Sequence, residues 1–590
     1  MIEVRFDDLT PGAERAFRLI EPVGVVEARR PSEVAGAIDA AEAAAARGLW
    51  IGGYVAYEAA VGLDPALVVR ERDDADPFGD LPLAWFAIFQ GREDARVLEP
   101  PATDPPAAGA SWRPSIDRPD YDRDIATIRE LVAAGESYQV NHTLRLRARI
   151  AGDAHGLYRD LALAQRGAFA AYLDLGRYRV LSASPALFFR LDGGRISTRP
   201  MKGTRARGRW LAEDEDAAAA LVASAKDRAE NAMIVDLLRN DLGRIATPGT
   251  VRASRMFEPE RYETVWQLTS SITADLEPGT SLAEVFRALF PSGSVTGAPK
   301  VRTMRIIRDL EGSPRGVYCG AVGVLGPPGS GEPRAVFNVA IRTVVVDVPS
   351  GTAEYGVGGG ITFDSSADLE HAEVLAKARV LTAARPAFRL FETLRHDPDQ
   401  GFRHLAEHLE RIEASARYFG FRFDPESALA ALKRAVDDAA VPVRARLELA
   451  RDGTVSVEVA ELPELPDPPV RVAMDEEPVD PADVWLFHKT TRRAPYERRR
   501  DRRPDVDDVV LVNTRGEVTE TTIANLAVRV GERWVTPPLG SGLLPGSYRT
   551  VLVREGTLVE RPITVSELER AEEIALVSSV RGWRRAVLVP

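Results

Sequence analysis

The chain has 590 residues, 45% hydrophobic and 28% charged, an ordinary balance for folded protein and too apolar for a disordered one. No run approaches the ~20 apolar residues that cross a bilayer, the N-terminus lacks the cationic start and apolar core of a secretory signal, and a single cysteine excludes internal disulfides and Cys-rich metal sites. A net charge of −12 disfavours binding nucleic acid by neutralising phosphates, so the expectation is a large cytoplasmic enzyme of about two to four domains.

Residues 1–98 mix strand-like runs at 50–57 and 82–89 with an alanine-rich helical pattern over 33–47. From Glu99 to Pro119, six prolines predict an extended surface connection, because proline fits neither helix interiors nor central strands. Residues 120–383 alternate helices at 120–135, 213–244, 298–310 and 364–384 with strands at 168–175, 178–183, 186–191, 317–325 and 335–347. Neighbouring strands joined by short turns favour an α+β fold with antiparallel sheets. A second start follows Ala383-Ala384-Arg385-Pro386, with a strand at 388–394, a helix at 403–419, then strands and loops to Pro590. The arginine cluster between Arg492 and Arg503 is expected as a solvated loop rather than a nucleic-acid surface.

Only six lysines, at 202, 226, 300, 377, 433 and 489, accompany 70 arginines. Genomic base composition explains the bias, and it has a chemical corollary. Guanidinium does not readily lose its proton, so a rare lysine marks a place where a neutralisable amine is useful.

Asp227 and Glu230 stand at i and i+3 of a helical pattern, and Glu370, Glu373 and Lys377 repeat the device at i, i+3 and i+7. Paired carboxylates from two helices suit Mg2+, which keeps positions open for substrate oxygen, though two solvated helix faces have the same spacing. The glycine run 356–360 can bring backbone N–H groups to an anion. Thr296-Gly297-Ala298-Pro299-Lys300 reads as a helix start with Thr296 as cap, and Arg342 closes a strand where it can fork onto a carboxylate or make a structural ion pair. Lys202, beside Gly203, is a candidate nucleophile if its pKa is lowered; a surface turn is the plain alternative.

Segments 135–141, 182–185, 200–204, 227–241, 290–300, 315–320 and 358–361 resemble, in order, the signatures of the chorismate-utilising enzymes. The resemblance implies an anthranilate-synthase-like α/β sandwich over 1–383, with an N-terminal subdomain at 1–98, the proline-rich connection at 99–119 and a catalytic core at 120–383. It implies Mg2+ held by Glu230 and Glu373, with Asp227 and Glu370 as outer acidic positions. Substrate contacts are implied at Gln139, Thr296, Tyr318, Arg342, Gly358, Gly359 and Lys377. Within that family, lysine at the position of Lys202 marks amination at C4 to 4-amino-4-deoxychorismate, and Gln139 replaces the basic lysine of the water-adding members. Two residues depart from the pattern: Ala186 stands where the family has a glutamate, its general acid, and Gln267 where histidine is frequent. No glutaminase segment is present in the chain, so ammonia is expected from solution or from a glutamine amidotransferase subunit. Cys319 is expected as a core thiol in a strand.

Beyond Pro386, Lys489, Glu520 and the run 542–549 supply an amine, a carboxylate and a Pro-Gly helix start, the parts that bind pyridoxal phosphate. With 408–411 and 578–582 they resemble the fold-type IV pyridoxal phosphate enzymes, implying an α/β domain over 386–590 whose strand-rich lead-in is abbreviated. In that resemblance Lys489 carries the cofactor and shuttles protons, and Glu520 pairs with the pyridine nitrogen. Arg411, the backbone amides of Ser547 and Tyr548, and Ser579 hold the phosphate. Aminotransferases and aminodeoxychorismate lyases share these motifs; fusion to the first segment favours the lyase, hence two-step 4-aminobenzoate synthesis for folate. An anthranilate-type enzyme fused to an aminotransferase, a degenerate first domain acting as scaffold, and a non-enzymatic interaction protein are the rivals. A homo-oligomer through the second domain is a further expectation.

Overall fold

The computed structural model describes residues 2–72, 76–101, 111–150, 152–382, 387–462 and 469–590. The expected junction at 383–386 and residues 102–110 of the proline-rich connection lie outside the described residues. The chain forms two compact units: Met1–Ala206 with Ala218–Ala387, and Arg207–Ala217 with Phe388–Pro590.

In the first unit eighteen strands join one hydrogen-bonded network with antiparallel ladders. The first hundred residues are woven into it: Glu3–Asp8 pairs with Phe169–Asp174, and Trp50–Val55 pairs with both Ala84–Asp94 and Ala321–Leu325. Trp50–Val55 is buried along its whole length, which accounts for an apolar and glycine run without alternation. Helix Val34–Ala46 buries Ala37, Ile38, Ala41, Ala44 and Ala45, a helical-period stripe of small residues. Phe188, Phe189, Phe286, Phe290 and Phe337 form the aromatic centre of the core, with Phe189 and Phe286 edge to face at 5.3 Å.

Several elements differ from the sequence expectation, each for a local reason. The helical pattern over 213–244 breaks into Leu211–Ala223 and Ala225–Gly243, because the Ser224 side chain accepts from the Asp227 N–H and caps the second helix. The expected strand 335–347 is two strands, Ala335–Val339 and Thr343–Asp347, separated where Arg342 takes a left-handed φ of +52°. Cys319 lies not in a strand but in the turn before Ala321–Leu325, also left-handed at φ +64°, though buried as expected. Thr296 does not cap a helix: Gly297 and Ala298 pair with Val140 and Gln139, so the helix begins at Lys300 with Pro299 as N-cap. Pro119 occupies the first turn of Arg118–Ala133, where its missing N–H is no loss, and Arg113–Pro114 pairs with Arg147 and Leu146.

The second unit has a four-stranded antiparallel sheet, Gly401–Phe402, Leu390–Asp397, Val443–Leu449 and Val455–Glu461, covered by helices Leu405–Phe419 and Pro425–Ala435. Its eight-stranded sheet is mixed, with Val470–Met474 parallel to both Asp508–Val512 and Gly582–Leu588. The segment 207–217 packs within this unit: the Trp210 ring lies 5.1 Å from Phe487, and the Tyr418 hydroxyl donates to the Gly208 carbonyl. The arginine cluster is not simply a solvated loop. Ala494–Asp501 is helical, and Arg499 and Arg502 both bind Asp475, so part of the cluster is neutralised locally.

Candidate active sites

The first cavity, about 340 Å3, is walled by strand Met201–Ala206, the glycine strand Thr352–Ile361, and the starts of helices Ala225–Gly243 and Ala367–Ala378. A bulge between Met201 and Thr204, with Gly203 at φ +95°, turns Lys202 into it. A methyl group at Gly360 would collide with both the Gln139 amide and the Lys202 amine, so the glycine is what lets these groups approach the backbone. Burial lowers the Lys202 amine pKa, with Glu230 the chief opposing charge.

Asp227, Glu230, Glu370 and Glu373 all line this cavity, as the two i, i+3 pairs predict. Burial pushes Glu230 and Glu370 up, each with a nearby carboxylate adding to the effect, whereas Lys377 holds Glu373 down through a contact of 2.6 Å. The Lys377 amine also donates to the Gly358 carbonyl at 2.8 Å, tying the helix to the glycine strand beside Gly359. Among the described residues, no three His, Cys, Asp or Glu side chains converge closely enough to hold a metal by themselves. The donor set fits a hard cation that takes two or so carboxylates and leaves positions for water and substrate, since its charge would favour the ionised form that burial disfavours at Glu230 and Glu370.

Tyr318 and Arg342 line the same wall. The Tyr318 ring packs on the backbone of Gly356 with the Arg145 guanidinium 5.5 Å from its centroid, and Arg342 donates to the Lys377 carbonyl at 2.5 Å. Gln139 is fully buried with both side-chain polar atoms unpartnered. Thr296 is not on the wall: its hydroxyl donates to the Ser292 carbonyl, and Ser292, Ser294 and Val295 face the cavity instead. Ala186 lines the wall as an apolar residue, opposite in character to an acid.

The sequence reading missed what holds this wall in place. Glu311, held at about 2 against its burial by Arg315 and Arg145, binds both guanidinium groups, and Arg315 donates onward to the carbonyls of Val295 and Asn141. Arginine alternates with Leu144, Leu146 and Ala148 along this strand at 145, 147 and 149, an ordinary polar-face pattern that gives no advance sign that Arg145 is buried.

The second cavity, about 500 Å3, lies wholly in the second unit. The Lys489 amine stands 4.7 Å from the Phe391 ring centroid and is pushed down to about 7, by burial first and by Arg411 next. Burial pushes Glu520 up to about 8. Ser547 opens helix Ser547–Arg554 behind Gly546, and its buried hydroxyl has no partner. These fit pyridoxal phosphate: a near-neutral amine, and an unpaired hydroxyl beside helix N–H groups at an anion's place. The Tyr548 ring stacks on His404 at 4.8 Å, away from the cavity, while its backbone N–H belongs to the first turn of helix Ser547–Arg554.

Arg411 and Ser579 line the cavity but are linked through residues the sequence reading did not assign. Glu392 binds Arg411 at 2.5 Å and His408 Nδ1 at 2.6 Å, and His408 Nε2 reaches the Ser579 hydroxyl at 2.7 Å. Burial opposes ionisation of Glu392, yet Arg411 and His408 together hold it at about 2.

The chorismate binding enzyme family matches residues 15–383, and amino-transferase class IV matches residues 389–589. The aminodeoxychorismate synthase of Streptomyces griseus is 42% identical over 327 residues, 54% of this chain and 44% of that protein. Aminodeoxychorismate synthase component 1 of Escherichia coli is 39% identical over 268 residues, 45% of this chain and 58% of that protein. Anthranilate synthase component 1 of Aquifex aeolicus is 37% identical over 274 residues, 46% and 54%. The chain thus spans about half the length of these relatives. The anthranilate synthase component I of Streptococcus pneumoniae has the same fold, with a TM-score of 0.54 at 24% identity over 63% of this chain and 92% of that one.

Proposed function

The chain belongs to the chorismate binding enzyme family, and from that premise we propose that it makes 4-aminobenzoate in two steps, amination of chorismate in 1–383 and elimination of pyruvate in 386–590. The observation that carries this reading is the Lys202 amine, desolvated against Gly360 in a cavity lined by four carboxylates.

In the first step the neutral Lys202 amine adds at C2 of the ring as the C4 hydroxyl departs; ammonia then adds at C4 and expels the lysine. Overall, chorismate and ammonia give 4-amino-4-deoxychorismate and water. Glu230 and Glu373, with Asp227 and Glu370 behind them, would hold Mg2+, which neutralises and orients the substrate's ring carboxylate. Tyr318 and Arg342 take the enolpyruvyl carboxylate, with Gly358, Gly359 and Lys377 closing that end. Gln139, uncharged, leaves water unactivated. The wall at Ala186 offers no proton donor to the departing hydroxyl, so this step runs below the rate of an enzyme with an acid there, typically by about 10²–10⁴. Ammonia comes from a glutamine amidotransferase subunit or from solution.

In the second step pyridoxal phosphate, when bound, supplies the electron sink. Lys489, near-neutral at physiological pH, removes the C4 proton and returns one to the enolpyruvyl carbon as pyruvate leaves. Glu520 stands for the pyridine nitrogen, and the phosphate belongs at Ser547, Ser579 and Arg411. No helix among the described residues is long and apolar enough to cross a membrane, and we read the enzyme as cytoplasmic.

Incubating the purified chain with chorismate, ammonium and Mg2+, then identifying the products, tests the reading. We expect 4-aminobenzoate and pyruvate, abolished by Lys202→Arg. 2-Aminobenzoate, or no consumption of chorismate, would overturn it.

A further inference from the structure

Seven arginines and two glutamates line the second cavity. Four of these cations are committed: Arg411 to Glu392, Arg446 to Glu448, Arg493 to the Thr522 carbonyl, and Arg492 to the face of the Trp485 ring. Three are not. Among the described residues, Arg444, Arg500 and Arg581 have no hydrogen-bond acceptor and no ion pair for their guanidinium groups. They come from three separate elements: strand Val443–Leu449, helix Ala494–Asp501, and the turn after strand Ile574–Ser578.

Arg444 and Arg500 are both within electrostatic reach of Arg581, and all three line the one cavity. Burial lowers the Arg581 pKa and Asp508 opposes it, with Arg584, Arg500 and Arg444 lowering it further. Asp508 is the carboxylate set against them; its Oδ1 accepts from the Thr522 hydroxyl and the Val509 N–H, and its buried Oδ2 has no partner. Arg444 and Arg581 are half-buried and Arg500 is exposed; like charges facing one cavity repel, and an anion between them removes that repulsion. An apolar substrate side chain would gain nothing from such a wall, and one carboxylate would leave most of its charge unanswered.

We propose that Arg444, Arg500 and Arg581 form a clamp that selects an amine substrate carrying two carboxylates on one compact frame. The proposal rests on the reading of this site as acting on an aminated ring diacid. It separates the cavity into a phosphate end, at Ser547 and Ser579, and a dicarboxylate end. Guanidinium forks suit this task because each offers paired donors to a carboxylate.

The test uses the full-length holoenzyme and reads the visible absorbance of its bound cofactor, which reports only this site. Isophthalate, with two carboxylates on one ring, is titrated against benzoate, with one. We expect isophthalate to bind at least about tenfold more tightly, since it satisfies charge-assisted contacts that benzoate leaves open. The preference should shrink at high salt, as screening weakens the clamp. Arg444→Gln, Arg500→Gln and Arg581→Gln should each lower it, and the triple variant should bring the ratio to about one. Equal binding of the two probes by the unaltered enzyme would overturn the clamp. So would variants that lose cofactor with the ratio unmoved, because the arginines would then serve the phosphate. A holoenzyme that prefers isophthalate yet releases no pyruvate from 4-amino-4-deoxychorismate would overturn the lyase reading alone, leaving the clamp in place.

Discussion

The state of the Lys489 amine before cofactor arrives is open to direct measurement. Its pKa of about 7 compares with 10.5 for an ordinary lysine, chiefly because the amine is buried. At pH 7 about half of the Lys489 population is neutral, against roughly 3 in 10⁴ for an exposed lysine, an advantage of about 1,500-fold in the reactive form. Cofactor-free protein mixed with pyridoxal phosphate should gain visible absorbance at a rate that climbs with pH up to about 7 and then levels. Lys489→Met should lack this fast phase. A depressed lysine pKa also carries a stability sign. Below about pH 7 the folded state holds a charged, poorly solvated amine; the penalty fades as pH rises toward 10.5 and the unfolded lysine loses its proton too. At ~1.4 kcal/mol for each tenfold change in proton affinity, the penalty is about 5 kcal/mol at most. Cofactor-free Lys489→Met should therefore resist denaturant better than the parent at pH 6, with the gain gone above pH 10. A capture rate that rises without a plateau through pH 9 would refute the argument, since it would describe a solvated amine.

The remaining predictions concern single groups whose surroundings decide the outcome. Glu392→Gln removes the anion shared by Arg411 and His408, and should destabilise the second unit by about 3 kcal/mol at neutral pH in denaturant titrations. Because the Glu392 pKa is depressed, the parent's advantage should shrink as pH falls from about 4.5 toward 2; a difference that stays constant in that window would count against the network. Gly360→Ala places a methyl group against the Lys202 and Gln139 side chains, and should cut kcat/KM for amination at least about 100-fold with far-ultraviolet circular dichroism unchanged. Ala186→Glu should raise steady-state amination by about tenfold or more; no gain would mean another group already protonates the departing hydroxyl.

Much of the first site was legible along the chain, because helical spacing is local information. Asp227 with Glu230, and Glu370 with Glu373 and Lys377, face one cavity as their i, i+3 and i, i+4 intervals require. The second site was legible in its amine, its carboxylate and its glycine-led helix start. Helix ends and strand breaks were less so. Whether Thr296 caps a helix depends on Gly297 and Ala298 finding a partner strand at 139–140, and no short window of sequence contains that fact.

The order of the motifs determined, by resemblance, the class of each half, while spacing marked the two carboxylate pairs and composition marked the rare lysines, of which Lys202, Lys226, Lys377 and Lys489 line the two cavities. Tertiary structure alone decided which groups meet across long separations. Lys202 lies against Gly360, Glu392 reaches Ser579 only through His408, and three arginines from distant elements share one wall. The reason is physical: a periodic pattern states which face of an element is buried, whereas the partner on the other side is chosen by packing of the whole chain.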